Sequence, residues 1–262
     1  MASPGQFVLP FFFAKFRAKS TATLSTKKSI KISCTVCPGC SHSLFSDLSK
    51  DDLEVLSQHK TCIRYKKGQT LFYEGTRPMG LFCINTGKVK VYKISSEGKE
   101  QILKLAKPGD FLGYRALISE EFYNSSATVI EEGAICYIPK TDFLNLLNSN
   151  PQFFRRMAKQ VAHELGTMEQ KLVTIAQKSV RERLAATLLM LKETYGMEGD
   201  ESDLIDIALS REDLANIIGT ATETVIRLLS DFKNQQLISL QGKKIKVLDS
   251  RGLVREADFY GR

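Results

Sequence analysis

Ser210-Arg211-Glu212-Asp213-Leu214-Ala215-Asn216-Ile217-Ile218-Gly219-Thr220-Ala221-Thr222-Glu223-Thr224-Val225-Ile226-Arg227-Leu228-Leu229 is the stretch from which the fold can be read. Ser210 is an N-cap residue, and Glu212 and Asp213 make an acidic first turn that complements the positive end of a helix dipole. Leu214, Ala215 and Ile218 share one face, with Ala215 small enough for a second helix to approach closely. Gly219 ends the helix, because a residue without Cβ readily takes the left-handed conformation of the turn. A second helix is predicted from about Thr222, burying Val225, Leu228 and Leu229 and presenting Thr222, Glu223, Ile226, Arg227 and Ser230 on its other side.

That arrangement places a few side chains in a DNA major groove. Arg227 can donate a two-pronged contact to guanine O6 and N7, and Glu223 can accept from the cytosine N4 amino group. The competing reading is a solvated helix face carrying an i, i+4 Glu–Arg pair. Ile238, Gly242, Ile245 and Val247 follow as a small hairpin, which completes a winged helix-turn-helix and favours the DNA reading. The candidate DNA contacts are Ser210, Arg211, Thr220, Thr222, Glu223, Thr224, Ile226 and Arg227, with Lys243 and Lys244 on the hairpin.

Working back toward the N-terminus, Gln177-Lys178-Ser179 opens a helix through Val180, Leu184, Leu188 and Leu191, and Gly196–Ser202 is a polar, acidic loop. Before it, Phe154, Met157, Val161, Leu165, Met168, Leu172 and Ile175 recur at steps of three and four after Asn150-Pro151. Such a seam, sustained without proline, suits a partner helix, and a parallel homodimer is the simplest partner. His163 falls off the stripe and is expected to face solvent.

From about Cys62 to Pro139 the period changes. Leu81–Ile84, Lys88–Lys93 and Gln101–Leu105 read as strands joined by Thr86-Gly87 and Ser96-Glu97-Gly98 turns. Many short strands at near-regular spacing predict an antiparallel barrel or jelly roll, with Met79 and Cys83 in its core. The fold class is therefore α+β: an antiparallel β-roll sensory domain over 34–149 that includes a cysteine loop, a dimerisation helix over 150–178, and a winged helix-turn-helix over 179–250. Residues 1–33 are expected to be a disordered basic tail, with a targeting peptide as the alternative, and 251–262 a C-terminal tail.

Net charge is +8, but residues 1–46 hold six basic side chains and no acidic one, leaving the rest nearly balanced at 31 basic against 29 acidic. From Ser179 onward there are 12 basic and 14 acidic residues, so bulk charge does not locate the DNA-binding half; local clustering such as Lys243, Lys244 and Lys246 must. The three histidines lie far apart, and no nucleophile-elbow, P-loop or His-Glu-x-x-His pattern is present, so an enzyme is not expected. Phe7–Phe13 is short and broken by Pro10, and no other stretch is long and apolar enough to span a bilayer; a soluble, cytoplasmic protein without a membrane role is expected.

Three of the six cysteines crowd into Cys34–Cys40, as Cys-x-x-Cys-x-x-Cys, too tight for a disulfide framework and suited to a metal or cluster loop in a reducing compartment. Zinc would want four ligands, and His42 is the only other candidate nearby. Cys62 and Cys83 read as buried core residues.

Lys67-Gly68-Gln69-Thr70-Leu71-Phe72, Lys107-Pro108-Gly109-Asp110-Phe111-Leu112-Gly113 and Ser210–Leu229 together resemble the Crp–Fnr family, from about Cys34 to Val247. The resemblance implies a cyclic-nucleotide-type β-roll, a dimer helix, a winged helix-turn-helix on inverted-repeat promoters, and RNA polymerase as a partner. It places Glu223 and Arg227 at the shared base-reading positions and leaves the outer base, opposite Thr222, unassigned. It aligns the cyclic-nucleotide pocket with Gly113, Tyr114, Arg115, Ser125, Ser126 and Met168. The glutamate for the ribose is missing there and Ser125 stands in place of the phosphate-binding arginine, so no cation neutralises a buried phosphate and cyclic AMP is not expected. Cys136-Tyr137-Ile138-Pro139 matches the fourth ligand of the [4Fe–4S] branch of the family, which gives Cys34, Cys37, Cys40 and Cys136 as the candidate cluster ligands, although Cys40 falls three residues before the branch's third cysteine. The alternatives are an unidentified small ligand in the roll of the same DNA-binding regulator, and a cyclic-nucleotide-type regulatory module with no DNA role.

Overall fold

The structure, a computed structural model, describes residues 29–41, 43–196 and 203–258. The tail expected over 1–28, including the Phe7–Phe13 run, His42 and most of the predicted acidic loop lie outside the described residues. Strand β1 (Ser29–Ile30) pairs with β2 (Thr61–Tyr65), so the predicted tail boundary at 33 is corrected: backbone pairing begins by Ser29. Between them run a 3-10 turn (Cys34–Val36), α1 (Pro38–Ser41) and α2 (Lys50–His59), the last capped by the Ser49 hydroxyl accepting from the Asp52 amide.

The roll continues through β3 (Thr70–Phe72), β4 (Gly80–Ile84), β5 (Lys88–Ile94), β6 (Glu100–Ala106), β7 (Phe111–Leu112), α3 (Tyr114–Ile118), β8 (Ser126–Glu131) and β9 (Gly133–Pro139). They form two antiparallel sheets, ordered β1-β2-β9-β4-β7 and β3-β8-β5-β6. Side chains alternate across a strand, so β2, β9, β4 and β7 of the first sheet each feed two cores. Phe82, Ile84 and Ile135 point between the sheets, packing with Phe72, Val89, Ala127 and Val129. Leu81, Cys83, Cys136 and Ile138 point the other way, against Phe45, Leu56, Phe143 and Phe153 on the covering helical layer. The Thr86-Gly87 turn needs its glycine: φ is +85°, and an added Cβ would lie 2.6 Å from the Glu131 carbonyl oxygen. Met79 corrects the expectation of a core residue: it precedes the first paired residue, Gly80, and is 68% exposed.

Helices α4 (Lys140–Ser149) and α5 (Pro151–Gln177) follow, with Asn150 capping α5 and Pro151 at its first turn, where a missing N–H costs nothing. Phe153 and Met157 anchor the start of α5 to the roll, whereas Val161, Leu165, Leu172 and Ile175 are exposed. After α6 (Val180–Tyr195) come β10 (Leu204–Ile205), α7 (Arg211–Ile218), α8 (Thr222–Asn234), β11 (Ile238–Gln241) and β12 (Lys244–Val247), the strands ordered β10-β12-β11. Residues 251–262, expected as a tail, are corrected at their start by α9 (Ser250–Glu256): Asp249 caps it, and Leu253 and Ala257 are fully buried in the C-terminal core. Among the described residues, no helix is long and apolar enough to cross a membrane.

Candidate DNA interface and cysteine core

Helix α7 starts at a reciprocal capping box: the Ser210 hydroxyl accepts from the Asp213 amide, and the Asp213 carboxylate accepts from the Ser210 amide at 3.0 Å. Leu214, Ala215 and Ile218 are buried, and Gly219 closes the helix at φ 71°, ψ 56°. The turn delivers α8 with Val225, Leu229 and Phe232 buried against α7 and α6. Thr222 and Thr224 are half-buried, while Glu223, Ile226, Arg227 and Ser230 are exposed along one side. Among the described residues neither Glu223 nor Arg227 enters an ion pair, so both ends of the expected i, i+4 pair stay available to a ligand.

The other candidates divide by what already occupies them. Ser210 serves the capping box, its hydroxyl also donating to Asp213 at 2.6 Å. Arg211 donates to the Gly242 carbonyl at 3.2 Å, bracing α7 against the wing turn. The Thr220 amide closes on the Ala215 carbonyl at 3.1 Å, fixing the turn between the two helices. Lys243 and Lys244 are exposed at the wing, Lys244 lying 4.0 Å from Asp206. One exposed helix face beside a basic wing is an arrangement that can enter a groove and straddle its phosphates.

The six cysteines of the chain all lie in one core. Cys40 hydrogen-bonds to both Cys34 and Cys37, which lowers the Cys34 thiol to about 6 and the Cys37 thiol to about 5 and drives Cys40 far upward. Lys60 Nζ donates to Cys34 Sγ and Asn85 Nδ2 to Cys37 Sγ, each at 2.8 Å. Burial raises Cys83 strongly, and the Cys37 and Cys34 thiolates add to the effect. Cys62 and Cys136 are joined in a disulfide. This corrects the reading of Cys62 as a free core residue, and it leaves Cys136 without a thiolate to offer a metal.

Three clustered thiols, with Cys40 hydrogen-bonded to the other two, are suitable donors for a thiophilic centre. Yet among the described residues no set of three or more His, Cys, Asp or Glu is arranged to hold a metal ion. The donors therefore fit a four-thiolate centre in chemistry at three positions and fail at the fourth, the disulfide-bonded Cys136. Sequence reasoning missed Cys62, Lys60 and Asn85. Strand alternation carries a signal for Cys62: with Cys136 opposite it in register, both must face the same side.

The aligned nucleotide-pocket residues stand in different surroundings. A cavity of about 250 Å³ between the roll and α5 is lined by Tyr114 with Lys104, Asp110, Arg156, Gln160 and Glu164, but not by Arg115, Ser125, Ser126 or Met168. Gly113 takes φ 90° at the start of α3. Arg115 pairs with Glu121 at 2.8 Å on the surface, Ser126 accepts from the Glu74 amide at 3.0 Å, Ser125 is buried, and Met168 is exposed on α5.

Two families match the chain: the cyclic nucleotide-binding domain over residues 62–150 and the Crp-like helix-turn-helix domain over 182–256. The chain is similar to the anaerobic regulatory protein of Haemophilus influenzae, at 28% identity over 84% of this chain and 85% of that protein. It resembles the transcriptional activator protein anr of Pseudomonas aeruginosa at 29%, covering 83% and 88% of the two chains. The fumarate and nitrate reduction regulatory protein of Vibrio cholerae is 27% identical over 86% of this chain and 88% of its own. In fold, FixK2 from Bradyrhizobium japonicum superposes with a TM-score of 0.68 at 23% identity, over 75% of this chain and 96% of that one. With a cyclic-nucleotide-type roll, a Crp-like helix-turn-helix and regulators of this kind as its relatives, the chain belongs to the Crp–Fnr family of DNA-binding transcriptional regulators, which are not enzymes.

Proposed function

We propose that this regulator binds an inverted-repeat promoter as a homodimer, under the control of a redox signal received by the cysteine core. The observation that supports it best is the face of α8, where Glu223, Ile226 and Arg227 are exposed on a helix whose other side is fully committed to the core. In this reading Glu223 and Arg227 read bases, Thr222 and Thr224 flank them, and Thr220, Lys243 and Lys244 meet phosphates. Ser210 and Arg211 position α7 and the wing. The dimer reading is supported by Val161, Leu165, Leu172 and Ile175, an apolar stripe exposed on a 27-residue helix. Two copies of α5 would bury it in a parallel seam.

For the signal, we favour the thiols. Cys34, Cys37 and Cys40 with a reduced Cys136 would hold a [4Fe–4S] cluster, which supplies oxygen- and redox-sensitive chemistry when bound. The polar cavity beside Tyr114 supports the other reading, a small ligand held between the roll and α5. Titrating the full-length protein into a labelled inverted repeat, with and without dithiothreitol under anaerobic conditions, tests the whole proposal. Redox-dependent, dimeric, sequence-specific binding supports it. Binding that depends on neither sequence nor redox state overturns it.

A further inference from the structure

We propose that the Cys62–Cys136 disulfide is a reversible redox bond in which Cys62 is the resolving thiol that withdraws Cys136 from the thiolates of the Cys34–Cys40 loop. Its consequence for a cluster rests on the redox reading above; the bond itself does not.

The argument begins with register. Cys62 on β2 stands opposite Cys136 on β9, and Cys136 stands opposite Cys83 on β4. All three face the helical layer, where the loop carrying Cys34, Cys37 and Cys40 packs over them. Cys136 is thus the middle sulfur of a row of three, under a second group of three. It has two alternative sets of partners: its strand neighbours and the loop.

A purely structural role for the bond is poorly motivated. β2 and β9 are already paired over five consecutive positions, from Thr61↔Tyr137 to Tyr65↔Gly133, and their helix-facing side is covered by a large apolar core. A disulfide framework is characteristic of small domains that cannot build such a core. The segment over the sulfurs is light by contrast, a three-residue turn and a four-residue helix held by Ser57, Lys60 and Asn85. Both bonded cysteines are buried, so exchange requires a local opening of that segment.

The chemistry balances with ordinary thiol reagents. A dithiol reductant attacks one sulfur of the bond through its thiolate, forming a mixed disulfide and freeing the other cysteine. Its second thiol then attacks the reductant sulfur of that mixed disulfide and displaces the remaining cysteine, leaving Cys62 and Cys136 as two thiols and the reductant as its own disulfide, with two electrons and two protons transferred. In the reverse direction a low-molecular-weight disulfide takes up those two electrons and two protons and leaves as two thiols.

The test uses full-length protein exchanged anaerobically, under native conditions, into oxidised glutathione or dithiothreitol, then denatured, alkylated, digested and read by mass spectrometry. Cys62 and Cys136 should be found linked after oxidation, their alkylation falling about tenfold or more and recovering on reduction, while Cys83 stays alkylated in both states. Cys62→Ala should keep Cys136 alkylated under the same oxidant; the wild-type comparison stands even if that variant folds poorly. Full alkylation of Cys136 in oxidised wild-type protein, a link from Cys136 to another cysteine, or a bond that native dithiothreitol leaves intact would each overturn the proposal. A second arm measures iron and sulfide uptake by the oxidised and reduced protein. Uptake confined to the reduced form supports the withdrawal of Cys136, and equal uptake in both forms refutes it. If the reversible link is seen and neither form takes up iron, the switch stands as thiol chemistry and the cluster reading falls.

Discussion

Lys90 on β5 lies 3.2 Å from Asp213, the residue that closes the capping box of α7, and 2.6 Å from Glu100 on β6. The three side chains are between 15% and 22% exposed, so the pairing is only partly screened by water. Gln101 Nε2 donates to the Asn216 carbonyl at 2.6 Å, and Leu105 and Ile130 of the roll pack on the helix-turn-helix core. An ionic and apolar seam thus joins the second sheet of the roll to the first helix of the helix-turn-helix. The seam puts β5 and β6 in direct contact with the helix that positions α8.

Lys90→Met leaves two carboxylates facing each other in a half-dry seam and should cost about 1–3 kcal/mol in chemical unfolding at neutral pH. The pH dependence has a definite sign. Burial acts to raise the Asp213 carboxyl, but the Ser210 hydrogen bonds and the Lys90 ammonium outweigh it and hold it below its ordinary value. A lowered carboxylate stabilises fully above its unfolded value of about 3.9 and loses that contribution as pH falls through the folded one. Burial acts to lower Lys90, but Glu100 and Asp213 outweigh it and raise it, so its contribution is present below about 10.4 and is lost as pH rises through the raised value. The difference between wild type and Asp213→Asn in urea melts should therefore be full at pH 7 and shrink toward pH 3. A difference that grows on acidification would contradict the pairing.

Arg227→Ala should weaken binding to an inverted repeat by about 1–3 kcal/mol per half-site and blur discrimination at one G·C pair. Arg227 is exposed on α8, so the variant should melt like wild type. Competition binding against sites changed one base pair at a time is the measurement. Equal loss on every sequence would reduce Arg227 to a phosphate contact.

Cyclic AMP, at about millimolar concentration, should leave the melting temperature and the DNA affinity unchanged, since a ligand that binds the folded state must raise its stability by mass action. The alignment offers only Arg115 as a replacement cation, and Arg115 is spent on Glu121 at the surface. A clear upward shift in a thermal melt would show that a cyclic-nucleotide site exists after all.

How much of this could be read in advance depended on the range of the interactions. The helix-turn-helix was legible because its signals are local: a cap at Ser210, an acidic turn, a glycine at 219, all within one stretch of chain. The α5 stripe was legible because its period is that of the helix itself. Which of its residues would be free was not: Met157 is taken by the roll, as is Phe153 beside the stripe, whereas Phe154 is exposed and the free run resumes at Val161. The disulfide was hidden for another reason. Cys62 and Cys136 are 74 residues apart, and only the β2–β9 register, set by the whole sandwich, makes them neighbours. The seam through Lys90 joins residues 123 apart and leaves no periodic trace.

Leu165→Glu or Leu172→Glu should convert a dimer into folded monomers without lowering the thermal stability of either domain. Leu165 is 60% and Leu172 70% exposed on α5, so a charge there meets water in the monomer and an apolar seam only in the pair. Sedimentation velocity reads the change in mass, and DNA affinity should fall because two half-sites must be held together. A variant that stays dimeric places the dimer contact elsewhere.

The last expectation concerns α9, the helix where a tail was expected. Leu253 is fully buried among Leu184, Leu188, Leu237 and Phe232, in the core that also supports α8. Its position is fixed from both ends. The Asp249 side chain accepts from the Gly252 amide at 2.9 Å, Arg181 Nε meets Glu256 at 2.6 Å, and Lys178 Nζ donates to the Ala257 carbonyl at 2.7 Å. Lys178 and Arg181 flank the junction between α5 and α6, so α9 ties the end of the long helix to the DNA-binding core. Leu253→Ala should cost about 2–5 kcal/mol, the ordinary penalty for an unfilled core site. Leu248→Ala, only five residues away but 52% exposed, should stay within about 0.5 kcal/mol. Ending the chain at Asp249 should remove both the buried leucine and the polar ties, lowering the melting temperature and the DNA affinity together. Thermal melts of the three variants beside a DNA titration decide it. If truncation leaves both quantities unchanged, α9 is dispensable and the C-terminal core is complete without it.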